Sequence, residues 1–121
     1  MIGKCLIKYE RLFLLGSLIL LVVGLAYFFF PPKGINHVYG YRTPSSTKND
    51  RNWEVSNKLA SRIFLGVSIL MTLLLYINTE QKFMDSDDLF IISFLSGVAI
   101  IFIVVETKLW RINKKSSKSK T

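Results

Sequence analysis

The chain has 121 residues, half of them hydrophobic, with a formal net charge of +8 and one cysteine. That length fits one domain, and a lone cysteine excludes an internal disulfide, a CxxC motif and a cysteine-based zinc cluster. The basic residues do not gather on a soluble face as nucleic-acid binding requires; they flank three apolar windows of 17 to 19 residues, which marks a membrane protein.

Residues 1–11 read as a short basic tail. Cys5 lies near enough to the first span for palmitoylation, with an ordinary small apolar residue as the plainer reading. Leu12 to Phe30 carries no charge. At about 1.5 Å per residue it covers roughly 28 Å, enough for a hydrocarbon core of about 30 Å. It is long for a signal peptide and ends in FFFPPKG without a small-x-small cleavage site, so it reads as a retained span. Gly16, Ser17 and Gly24 give it a flat strip for a neighbouring helix. Tyr27 to Phe30 suit an interfacial aromatic girdle, and Pro31-Pro32 stops the helix.

Gly40 and Thr43 to Ser46 mark turns. Thr47, with Asp50 three residues on, predicts a helix start and a helix from Lys48 onward. Trp53, Asn57, Ala60 and Phe64 then share one face. Trp53 is expected to anchor at headgroup depth, and Arg62 to snorkel from the start of a second span, about 59–77. That span holds Ser68 and Thr72, and a third, about 89–105, holds Ser93 and Gly97; both pairs have small-xxx-small spacing. The connection Asn78 to Asp88 suits only an antiparallel hairpin, with Asp85, Asp87 and Asp88 favouring the N-terminus of the third helix. The Ser/Lys tail 114–121 has nothing to pack and is expected to be disordered.

These elements predict an all-α integral membrane fold in one domain: three transmembrane helices with a structured cytoplasmic loop, 36–57, between the first two. Three spans put the N-terminal tail and second loop on one side, with four Lys and Arg, and the first loop and C-terminal segment on the other, with twelve. The positive-inside rule then places the loop and C-terminus in the cytoplasm, against an anionic leaflet, and the N-terminus outside.

No span carries an ionisable group near its middle, which argues against a proton-coupled exporter. Glu106 and Arg62 sit at span ends and read as solvated. The single histidine, His37, has no acid or cysteine cluster around it, and a triple of Ser45, His37 and Asp50 lacks any oxyanion hole. No enzyme, cofactor or metal site is expected. The chemistry that remains lies in the loop, at Asn36, Tyr39, Gly40, Tyr41, Arg42, Thr43, Asn49, Trp53 and Asn57. Arg42 offers a planar five-donor fork for carboxylate or phosphate, and the aromatics offer amphipathic contact area. Contact of Arg42 with lipid phosphate is the alternative.

The run NHVYGYRTP from Asn36 to Pro44, followed by Ser46, Lys48-Asn49, Trp53 and Asn57, resembles the signature of the SdpI family. The match covers roughly 22 residues between the first two of three spans, and concerns Asn36, Gly40, Tyr41, Arg42, Thr43, Pro44, Trp53 and Asn57. The resemblance implies a bacterial plasma-membrane protein. In the family's best-known member, a longer protein, it implies immunity to a secreted peptide toxin and relay of toxin binding to a cytosolic repressor. This chain corresponds to the three-span, signature-bearing part. The partners so implied are a peptide toxin or a cytosolic regulatory protein. A small-solute transporter or channel built as a homo-oligomer is the alternative, and a structural membrane subunit is third.

Overall fold

The structure, a computed structural model, describes residues 2–119, and for residues 2–7 and Tyr9 the backbone alone. The side chain of Cys5 and residues 120–121 lie outside that description. Three helices follow one another: α1 (Ile2–Phe29), α2 (Asp50–Gln81) and α3 (Ser86–Ser119). Each is long and apolar enough to cross a membrane, and there are no strands among the described residues. The protein is a multi-pass membrane protein.

The helices outrun the apolar windows. α1 includes most of the expected N-terminal tail, because charged residues such as Lys8, Glu10 and Arg11 do not break a helix. Over its described side chains, Glu10–Phe29 is long and apolar enough to cross a membrane. It ends as anticipated: Phe30 donates the last backbone bond, to Ala26 at 2.8 Å, and the proline pair has no N–H to continue it. The cap of α2 is Asn49 and not Thr47. Asn49 is extended (φ −158°, ψ 171°) and its Oδ1 accepts from the Asn52 amide at 2.8 Å. Thr47 is drawn instead into the preceding turn, its amide and hydroxyl both bonding the Thr43 carbonyl, at 3.0 and 2.9 Å. α3 continues through 114–119, where disorder was expected. These residues are all exposed, and the helix continues through them with Lys114 over the Trp110 ring at 4.8 Å and the Ser119 hydroxyl donating to the Ser116 carbonyl at 2.9 Å.

α2 is the central element, packing against both α1 and α3, while α1 and α3 touch each other less. Small residues carry the approaches, as a bilayer requires. A Cβ on Gly24 would meet Ser68 Oγ at 3.0 Å and the Phe64 ring at 3.2 Å, and a Cβ on Gly97 would run into Val67 Cγ1. Ser17 is fully buried and returns its hydroxyl to the Leu14 carbonyl at 2.7 Å. Two apolar clusters result. Met71, Leu75 and Leu89 sit toward the hairpin with Phe13 and Phe90, whose rings lie 5.5 Å apart. Ala60, Val105 and Leu109 sit toward the first loop, with Tyr27, Tyr41 and Ile101 against them. Large side chains such as Val22, Leu70 and Ile103 face outward, toward lipid.

The hairpin between α2 and α3 is closed by one residue. Asn78 is buried, and its carboxamide accepts from the Met84 amide (3.2 Å) while donating to the Met84 carbonyl (2.9 Å) and Ser86 Oγ (3.3 Å). Lys82 takes the left-handed conformation (φ 49°) that turns the chain there. Asp87 and Asp88 fall in the first turn of α3, where carboxylates were expected.

Candidate functional site

The first loop does not hang free from the helix ends; it folds back over them. Its outer part is an Asx-type turn in which Asn36 Oδ1 accepts from the amides of Val38 (2.9 Å) and Tyr39 (3.0 Å), and Asn36 Nδ2 donates to the Gly34 carbonyl (3.0 Å). Tyr39 reaches back to the end of α1, its hydroxyl donating to the Phe30 carbonyl at 3.0 Å.

The chain then passes Gly40 at φ +116°, a conformation that side chains avoid. Space forbids a side chain there as well: a Cβ would stand 2.6 Å from Asn57 Oδ1 and 2.9 Å from Pro32 Cγ. The close approach lets the Tyr41 amide donate to Asn57 Oδ1 at 2.7 Å, an oxygen that also accepts from the Tyr27 hydroxyl at 2.7 Å. Asn57 Nδ2 donates to the Trp53 carbonyl at 3.0 Å and, more weakly, to the Tyr41 carbonyl at 3.4 Å. One carboxamide on α2 thereby holds α1 and both sides of one loop residue.

Tyr41 carries the linkage to the third helix. Its hydroxyl and that of Thr43 both donate to Glu106 Oε1, each at 2.7 Å. Burial, and then the hydrogen bond to Glu106, push the Tyr41 phenol well above its ordinary range, so it stays protonated and donating. A buried Ser46 closes the following turn, its hydroxyl accepting from the Thr43 amide at 2.7 Å. Asn52 Nδ2 ties the Ser45 carbonyl (2.9 Å) to Asn113 Oδ1 on α3 (3.0 Å).

Of the residues singled out in the sequence, Gly40, Tyr41, Thr43, Trp53 and Asn57 converge on this network, and Asn49 caps α2. Trp53 is fully buried, its Nε1 donating to the Pro32 carbonyl at 3.1 Å, so it is a wedge under the loop and no headgroup anchor. Glu106, read as a solvated span end, is the acceptor for the loop. Asn36 and Tyr39 shape the outer turn. Pro44 is exposed, and so is Arg42, whose Nη2 lies 3.0 Å from His37 Nδ1. The guanidinium otherwise faces outward.

Sequence reasoning passed over Asn52 and Asn113, gave Tyr27 only an interfacial place and Ser46 only a turn, and misread Glu106. A signal existed for Glu106, the one acid between Leu89 and Asn113. Beside the network lies an open cavity of about 480 Å³ with largely apolar walls from Val23, Ala26, Phe64 and Ile101, roofed by Tyr39, Gly40 and Tyr41. Among the described residues no His, Cys, Asp and Glu cluster could hold a metal ion.

A family model described as the SdpI/YfhL protein family matches residues 33–106, which encloses the loop, α2 and α3 as far as Glu106. Uncharacterized protein YfhL of Bacillus subtilis (strain 168) is 36% identical over 52 residues, 43% of this chain and 47% of that protein. The match thus spans about half the length of that relative. No solved structure matches.

Proposed function

The chain belongs to the SdpI/YfhL protein family, and from that premise we propose that it is a non-enzymatic immunity or signalling protein that recognises a peptide toxin or a cytosolic partner through its 36–57 loop. The observation that carries this reading is the placing of Tyr39, Gly40 and Tyr41 over the apolar cavity while Asn57 holds the Tyr41 backbone and Glu106 the Tyr41 and Thr43 hydroxyls. A site fixed in this way is preorganised, so a partner does not have to order it on binding. Apolar side chains of a membrane-active peptide suit a cavity of about 480 Å³, and exposed Arg42 beside it suits a carboxylate. With twelve of the sixteen basic residues on the loop side, that side is assigned to the cytoplasm.

Survival of toxin-sensitive bacteria expressing this chain tests the reading. Tyr39→Ala and Arg42→Lys alter the exposed surface and leave the Asn57 clamp in place. Both are expected to insert at wild-type level and lose protection. Protection by the wild-type chain that both variants retain in full would remove the loop from recognition.

A further inference from the structure

On the opposite side of the loop from the apolar cavity, the chain leaving α1 and the outer face of α2 enclose a second cleft of about 450 Å³. Its walls differ in kind. Lys58 and Arg62 stand one helical turn apart on α2, and Lys33 faces them from the segment after Pro31-Pro32. Glu54 is the one carboxylate of the lining, and it lies at the end of the cleft farther from the membrane core. All three cations are exposed, and among the described residues none of them forms an ion pair. Three positive groups converging on one cavity with a single acid at its edge make a site for a multivalent or diffuse anion.

Depth in the membrane decides which anion. Arg62 is the last charge of α2 before an uncharged run from Ile63 to Ile77, and Phe28, from the last turn of α1, forms part of the same wall. The cleft therefore opens at the rim of the apolar belt, with cations above and an aromatic face below. We infer that this cleft, between Lys33, Lys58 and Arg62, binds the headgroup of an anionic phospholipid, whose acyl chains descend along Phe28. Lys58 and Arg62 charge the phosphodiester, Lys33 closes over it, and the guanidinium supplies the bidentate contact. Asn57 and Pro32 also line the cleft, so the lipid sits directly behind the clamp that seats the loop. The inference stands apart from the proposed immunity role and does not depend on it.

The test uses the full chain in nanodiscs of phosphatidylcholine with increasing phosphatidylglycerol, with bound lipid read by native mass spectrometry after release. Lys58→Gln with Arg62→Gln is compared with Lys114→Gln with Lys115→Gln, which removes equal charge from the end of α3. Two headgroup cations imply about a thirty-fold loss of phosphatidylglycerol retention for the cleft pair. The tail pair should lose far less, and Lys58→Arg with Arg62→Lys should restore retention. These variants change exposed side chains, and unchanged thermal unfolding in phosphatidylcholine confirms that they fold. Equal losses for cleft and tail pairs would overturn the site in favour of general surface attraction. Soluble glycerol phosphate or an oligoglutamate peptide competing at the affinity of the lipid, with the same dependence on Lys58 and Arg62, would overturn the lipid assignment.

Discussion

Asn57 has a short side chain with one acceptor oxygen and one amide donor group, and in this fold every direction is used. Leucine has nearly its size and none of its hydrogen bonds, so Asn57→Leu should strand the Tyr27 hydroxyl and leave the Tyr41 amide only that hydroxyl, at 3.2 Å, as acceptor. A buried group left unpaired costs about 1–3 kcal/mol, and thermal unfolding in one detergent should show a loss of that order. Gly40→Ala should fail more sharply, since φ +116° and the 2.6 Å approach to Asn57 Oδ1 both oppose a side chain. Tyr41 adds a pH dependence whose sign is fixed. Its folded phenol titrates above the ordinary 10.0, so the stability it supplies is complete below about pH 10 and is lost as pH rises through the higher folded value. Alkaline unfolding of Tyr41→Phe, compared with wild type, should lack that component. Arg42 makes no such contribution, because among the described residues its side chain bonds His37 alone, and Arg42→Lys should leave stability unchanged.

The helices meet where glycine permits it, and two glycines separate close approach from empty space. Gly97→Ala pushes a methyl into Val67 and should destabilise by about 1–3 kcal/mol, whereas Gly66→Ala, with nothing nearby, should be neutral or stabilising by up to about 1 kcal/mol. Unfolding of the two variants side by side checks this. The three spans and the packing strip at Gly16, Ser17 and Gly24 were legible because uncharged windows and small residues are local features. Helix ends were less so: charges at Lys4 or Lys114 report depth and say nothing against helicity, and Asn49 competed with Thr47 for one cap. The face of Trp53, Asn57, Ala60 and Phe64 followed from period alone, but its surroundings did not. Trp53 looked interfacial until the loop closed over it. Glu106 pairs with Tyr41 across 65 positions and with Thr43 across 63, beyond the reach of any periodicity.

At the scale of the whole molecule, the loop joins all three helices at one end of the bundle, while the hairpin held by Asn78 joins two at the other. The charge distribution predicts the orientation: a reporter active only in the cytoplasm should be active after Thr121 and silent near Asp85. The reverse pattern would put the loop outside. Truncation after Asn113 keeps the acceptor for Asn52 and should leave insertion nearly intact, whereas replacing 36–49 with a Gly/Ser linker should remove function while the spans remain. The central claim is that the loop is seated on the helix ends through Asn57, and amide hydrogen exchange reads that seat directly. In lipid nanodiscs the Tyr41 amide should exchange as slowly as amides within the first turns of α2, and Asn57→Leu should speed it by orders of magnitude while the α2 amides beyond Ala60 stay protected. A wild-type Tyr41 amide that exchanges at the rate of an unstructured chain would contradict the account.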